Sequence, residues 1–249
     1  MTKGHTMTAG HNPVTDSKGQ NKPMNYQDDV FRRRERLLLG AALELFRARG
    51  WEQVTVAQVA DSAGIGKGTV YKHFAAKESI YARLALEFSE RCLACYREVP
   101  PADSPLHALR TVIRMAFDLM QQNPTEVQLS LYCERPEFQE RLDPEVQSRF
   151  IRLENEYSAL FNEFIEAAVA RGEMAAVSTE AVYWGIEAGF HGVMARIAAG
   201  GFGRWCGTPD MSRYFDHVAD FMIAGLVGAP AIRPEPPTQG SPDSQGEKE

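Results

Sequence analysis

The sequence predicts an all-α fold, with a short N-terminal helix-turn-helix unit followed by a larger helical body. Three observations carry this expectation. Apolar residues recur at three- and four-residue spacing over long stretches, among them Leu38 to Phe46, Leu109 to Met120 and Val146 to Ala168. Strand-like alternation between Gly/Asn turns is missing. The stretch TVAQVADSAGIGKGTVYKHFAAK, Thr55 to Lys77, reads as two short helices joined by a tight glycine turn.

Composition bounds what such a chain does. With 249 residues, 44% of them hydrophobic, it can bury one or two sizeable cores without a disulfide framework. Four cysteines, an N-terminal stretch without an apolar run and no long apolar segment predict a soluble cytoplasmic protein, without a membrane span. The net charge of −6 argues against a nucleic-acid partner until its distribution is considered. From Phe31 to Ile80 nine Lys or Arg face five acids, whereas the rest of the chain carries 18 basic and 28 acidic residues. A basic N-terminal module on an acidic body is the footprint of a phosphate-binding unit.

Taken in order, residues 1–27 are polar and poor in apolar side chains, so a disordered arm is expected. The Pro-rich, polar residues 229–249 predict a disordered tail. Between them, 28–84 form the helix-turn-helix domain and 85–228 the body. The first helix covers about Asp28 to Arg49, with Leu38, Ala41, Ala42, Leu45 and Phe46 on one face, and ends at Gly50. Its basic run Arg32 to Arg34 is either a solvated face or a set of phosphate contacts.

Thr55 and Gln58 have the spacing of a capping box. Val56, Val59, Ala60 and Ala63 form the apolar stripe of the second helix. Gly64 permits a sharp turn, Ile65 drops into the core, and Gly66 leads into a third helix anchored by Val70 and Phe74. Helices this short need a core supplied by their neighbours. Lys67, Gly68, Thr69, Tyr71, Lys72 and His73 are the exposed positions of the third helix. Gly68 costs about 1 kcal/mol of helix stability relative to Ala, which implies a close visitor at the backbone, and a duplex fits. Lys77 opens the fourth helix with a charge opposed to the helix dipole, a placement that a phosphate at that terminus would offset.

The fourth helix is predicted from about Ala76 to Val99 and stops before Pro100. Its Cys92 and Cys95 have Cys-x-x-Cys spacing, but no second Cys/His pair lies at zinc-site spacing, so small apolar packing is the expected role, as for Cys133 and Cys206. Further helices are predicted over Leu106–Gln122, Thr125–Cys133, Pro144–Arg171, Thr179–Ala199 and Asp210–Val227, with a loop over Gly200–Pro209. Gly185, Ala188, Gly189, Gly192 and Ala195 make the last two helices the expected dimer surface, with intrachain packing as the other reading.

Leu37 to Leu84 closely resembles the N-terminal domain of the tetracycline-repressor (TetR/AcrR) family. The matching features are Ala-Ala-x-x-x-Phe in the first helix, Thr-Val-x-x-Val-Ala-x-x-Ala-Gly-Ile in the second, Gly-Thr-Val-Tyr-x-His-Phe in the third and Lys-Glu at the fourth. The resemblance implies a homodimer in which this domain binds a double-stranded operator and the body binds a small-molecule effector. It assigns Lys67, Gly68, Thr69, Tyr71, Lys72 and His73 to the major groove, and Thr55 and Lys77 to phosphates. Many relatives have Ser where Gly66 stands and a basic residue where Ala57 stands, so contacts from the second helix are reduced here.

The resemblance also implies a pocket, with Met115, Phe117, Met120, Tyr132, Phe138, Phe161, Phe164, Trp184, Phe190 and Met194 as candidate lining. Such a pocket suits a mostly apolar or aromatic effector, and Glu187 and His191 are placed to orient a polar group. The expected protein is a ligand-responsive transcription regulator, most simply a repressor on a palindromic site, with no cofactor, metal or enzymatic activity. The alternatives are a non-specific architectural DNA-binding protein and a helical thiol-dependent enzyme. No nucleophile–base–orienter set supports the last.

Overall fold

The computed structural model describes residues 26–99, 103–176, 179–201 and 210–232. Residues 1–25 of the expected arm, the tail from 233, most of the 200–209 loop including Cys206, and Pro100 lie outside these. Ten helices occur among the described residues: α1 Tyr26–Arg49, α2 Val56–Ser62, α3 Lys67–His73, α4 Lys77–Arg97, α5 Pro105–Gln122, α6 Pro124–Cys133, α7 Pro136–Gln139, α8 Pro144–Ala170, α9 Thr179–Ala198 and α10 Met211–Ile232. No strand occurs among the described residues, and no helix there is long and apolar enough to cross a membrane.

Local chemistry accounts for the helix starts. Ser104 caps α5 by accepting from the His107 N–H, Asp143 caps α8 by accepting from Glu145, and Pro follows each cap at the first helical position. Two features differ from the expected elements. The four-residue helix α7 is too short to show a period. Helix α10 runs five residues beyond Val227, so residues 229–232 are helical rather than part of a disordered tail.

Two cores organise the chain. One gathers Leu38, Ala42 and Phe46 of α1, Val59 and Ala60 of α2, Val70 of α3, and Ile80, Tyr81 and Leu84 of α4. The other joins α5, α8, α9 and α10 around Phe117, Ile113, Ile165, Val193 and Phe215. Helix α4 serves both, because Ile80 to Ala85 belong to the first core and Phe88, Cys92 and Tyr96 to the second. Helix α6 also crosses over: Leu129 and Cys133 complete the first core while Val127 packs in the second. The α1–α3 unit is therefore seated on α4 and α6. On the far side, Arg110 and Arg114 of α5 pair with Asp216 of α10, and Arg110 also reaches Asp220.

Candidate nucleic-acid interface

The loop-helix-turn-helix from Thr55 to His73 is fixed by a chain of backbone choices. Thr55 is extended at φ −99°, and its Oγ1 accepts from the Gln58 N–H at 3.3 Å while Gln58 Oε1 accepts from the Thr55 N–H at 2.8 Å. The capping box thus forms in both directions. The Thr55 hydroxyl also donates to Gln58 Oε1 at 3.1 Å, so its proton must turn away from Gln58 to meet a phosphate.

At the other end of α2, Ile65 N–H reaches the Ala60 carbonyl at 2.9 Å and Gly64 N–H the Asp61 carbonyl at 3.1 Å. That pair of bonds closes a Schellman turn, which requires a left-handed residue, and Gly64 supplies it at φ +65°. The chain then re-enters a helix at Gly66, which offers no side-chain cap. Thr69 N–H finds the Gly66 carbonyl instead, at 2.8 Å.

Helix α3 buries Val70, and Phe74 beyond its end, beneath it. Its opposite side carries Lys67, Gly68, Tyr71 and Lys72, all exposed, with Tyr71 48% exposed despite its size. Thr69 is half-buried beside them. A Cβ built on Gly68 meets nothing within 4 Å. Among the described residues nothing therefore demands glycine at this helical position.

Two residues are held differently from a free surface contact. His73 is half-buried, with its ring stacked on Phe31 of α1 at 3.9 Å between centroids and 29° between planes. Burial pushes its imidazole below the ordinary value, Glu35 opposes this and Arg34 reinforces it. Its Nδ1 is buried with no hydrogen-bond partner among the described residues. Phe31 escaped the sequence reading, although a lone aromatic inside the charged run DDVFRRRER was the available signal.

Lys77 turns back from the α4 terminus and donates to the carbonyls of Glu52 and Val54, at 3.0 and 2.9 Å, with its Nζ 5.4 Å from the centre of the Tyr81 ring. Its charge beside a helix N-terminus is thus met within the chain by two carbonyls and an aromatic face, so a phosphate is not required to offset it. Burial lowers its pKa, opposed by Glu78 and Glu52. One of its three donors remains for an outside acceptor.

The residues expected to line a pocket separate into three groups. Phe117, Met120 and Met194 are buried in the body core, with Met115, Phe161, Phe164 and Phe190 packed against it, and Phe190 is tilted against Phe117 and Phe161 at 5.3 and 6.0 Å. Tyr132 and Phe138 lie elsewhere, in the joint beneath the α1–α3 unit, where Tyr132 meets Trp51 at 4.8 Å and Tyr81 at 5.8 Å. Trp184 points outward and is 61% exposed, so it does not line the interior of this chain.

Glu187 and His191 do come together. His191 Nδ1 lies 2.9 Å from Glu187 and its Nε2 2.7 Å from Glu134, just past the end of α6. The contact therefore ties α9 to α6. Among the described residues no group of three His, Cys, Asp or Glu side chains could hold a metal ion. Burial pushes the Cys92 thiol up to about 11 and Cys133 up to about 12, far from the thiolate that nucleophilic chemistry needs.

A capped helix, a Schellman turn and a second helix with an unused polar face, seated on a helical body, define a helix-turn-helix protein. The profile of the tetR family of bacterial regulatory proteins matches residues 38–84. The repressor BepR of Brucella suis is 32% identical over 147 residues, 57% of this chain and 68% of that protein. The repressor KstR2 of Mycobacterium tuberculosis is 35% identical over 97 residues, 39% of this chain, and the matched stretch spans only about half of its length, 48%.

Among solved structures, a tetR-family regulatory protein from Rhodococcus RHA1 superposes with a TM-score of 0.61 at 19% identity, over 78% of this chain and 97% of that one. The regulator FadR from Bacillus subtilis, solved with stearoyl-CoA, superposes with a TM-score of 0.56 at 20% identity, over 77% and 99%. At such identities these likenesses speak to the fold. The chain belongs to the tetR family of bacterial regulatory proteins.

Proposed function

We propose that this chain is a DNA-binding transcription regulator, acting as a repressor that a small molecule releases. The observation that carries the reading is the outer face of α3. Lys67, Gly68, Tyr71 and Lys72 are exposed together, and Gly68 has open space where a Cβ would stand. A major groove supplies the missing neighbour, with the lysines directed to phosphates or guanine edges and the glycine allowing close backbone approach. Thr55, Thr69, His73 and Lys77 are assigned to the border of this face by the same reading. Their remaining hydrogen-bonding capacity suits phosphate oxygens.

Recognition by a seven-residue helix gains specificity when two copies act together. The α9–α10 surface supports a two-fold dimer. Gly189 is used within the chain, since a Cβ there would come within 2.7 Å of Met222 Sδ, but Gly185, Gly192 and Gly225 face open space. Gly185, Ala188, Gly192 and Ala195 are all exposed at alternating three- and four-residue spacing, and Phe221 of α10 is 79% exposed. A self-complementary patch of this kind brings two recognition helices to one palindrome, about 34–36 Å apart.

The effector site belongs among α5, α8 and α9, around Phe117, Phe161, Phe164 and Phe190, where a mostly apolar or aromatic molecule finds few charges. The stearoyl-CoA in the FadR structure supports an acyl or similarly apolar ligand for this fold. Because α4 belongs to both cores, a ligand that moves its Phe88–Tyr96 half tilts the half that carries the reading unit. Linkage then requires the ligand to prefer the non-binding form, with a coupling of about 1–3 kcal/mol.

The test is a footprint of the purified protein on the DNA flanking its own coding region, repeated with acyl and aromatic metabolites. A protected two-fold site that one metabolite class abolishes is expected. Protection spread without preference along the fragment would overturn the reading in favour of an architectural protein.

A further inference from the structure

Among the described residues the basic run of α1 has no internal use. Arg32, Arg33, Arg34 and Arg36 are all exposed, and among the described residues none forms a salt bridge. The one acid between them, Glu35, is engaged with Arg83 of α4 at 3.2 Å. Asp28 and Asp29 sit a turn earlier, in the first turn of the helix, where carboxylates complement its dipole. Arg32 and Arg36 are four apart and Arg33 and Arg36 three apart, so like charges crowd one stretch of helix at a cost of about 0.2–0.5 kcal/mol per pair.

This charge is also held in place. Phe31, immediately before the run, stacks on His73, the last residue of α3, and Glu35 is tied to α4. The basic run is thereby held beside the C-terminal end of the recognition helix.

We propose that Arg32, Arg33, Arg34 and Arg36 form a second phosphate-binding surface, which grips the duplex backbone beside the groove entered by α3, with the Phe31–His73 stack as the element that positions it. The inference rests on the DNA-binding reading and extends it to a sequence-independent contact outside the helix-turn-helix. Duplex phosphate is the chemistry that satisfies four unpaired guanidinium groups in a row.

The test measures affinity for a mixed-sequence duplex of about 40 base pairs as a function of salt, because each phosphate contact contributes about 0.9 to the slope of log K against log salt. Replacing all four arginines by glutamine is expected to make that slope less negative by about 2–3. The four-lysine variant, which keeps the charge, is expected to retain most of it. Phe31→Ala, with all arginines present, is expected to weaken binding several-fold at fixed salt.

Circular dichroism of each variant establishes that it folds. Two double variants, R32Q/R36Q and R33Q/R34Q, replace the quadruple one if it does not. An unchanged slope in the glutamine variants, with wild-type binding intact, would overturn the surface. An unchanged Phe31→Ala affinity would overturn the positioning role of the stack. A wild-type chain that binds no duplex at any salt would instead overturn the DNA-binding reading itself.

Discussion

The seat of the reading unit on the body contains one buried charge, and its two partners differ enough to make a sharp prediction. Glu126 of α6 is 1% exposed, and its Oε1 lies 2.6 Å from Arg47 of α1 and 3.9 Å from Arg91 of α4. Its other oxygen has no hydrogen-bond partner among the described residues. Arg47 itself is 49% exposed. Removing Arg47 strands a buried carboxylate, which in a fully buried pair costs about 3–5 kcal/mol. Arg47's contact with water and the reserve cation Arg91 reduce this to about 2–3 kcal/mol.

Glu126→Gln behaves differently. It keeps an acceptor for Arg47 and leaves a cation that water can reach, for about 1 kcal/mol. In R47A/E126Q no buried charge remains, so the double variant should lie near E126Q alone, with a coupling of about 2–3 kcal/mol. At roughly 2–4 °C per kcal/mol for a chain of this size, Arg47→Ala should lower Tm by about 4–12 °C and Glu126→Gln by about 2–4 °C. Thermal and urea unfolding followed by circular dichroism measure all three. An E126Q variant as unstable as R47A, or single effects that add in the double variant, would refute this account of the joint.

Other perturbations separate folding from recognition. Gly68→Ala should raise stability by up to about 1 kcal/mol, since its Cβ meets open space, yet weaken DNA binding. Unfolding and gel-shift measurements should therefore move in opposite directions, and unchanged binding would remove the case for a visitor at that backbone. Thr55→Ala removes the hydroxyl that accepts from the Gln58 N–H, leaves the backbone N–H of residue 55 bonded to Gln58 Oε1, and should cost about 1 kcal/mol in an unfolding titration. Burial alone would push the His191 imidazole down, but the Glu134 hydrogen bond and the charges of Glu134 and Glu187 carry it above its ordinary 6.5. A raised folded value means that this contribution is fully present below pH 6.5 and fades as pH rises through the folded pKa. His191→Gln should flatten that part of the stability–pH profile, and a profile unchanged by the substitution would deny the contact a role.

Much of the reading unit was legible because its determinants are local. The capping box spans four residues, the Schellman turn needs one glycine, and the apolar stripes of α1 to α3 follow a single period. What escaped depends on residues far apart in sequence. Lys77 is explained by carbonyls 23 and 25 residues earlier, and Glu126 by an arginine 79 residues away. Periodicity marked Tyr132 and Trp184 as apolar positions, but it does not say which neighbour a face meets. One belongs to the joint beneath the reading unit and the other faces outward. The small residues of α9 illustrate the same ambiguity: Gly189 serves Met222 within the chain while Gly185 and Gly192 do not.

The central claim is that the exposed face of α3 reads sequence, and competition at fixed salt tests it most directly. The labelled duplex carries the footprinted site. The competitors are the same duplex unlabelled and a scrambled duplex of equal length and composition. The account predicts a preference of about a thousandfold or more for the site, falling towards unity in a K67A/Y71A/K72A variant that still folds. Equal affinity of the wild-type chain for the two duplexes would contradict it.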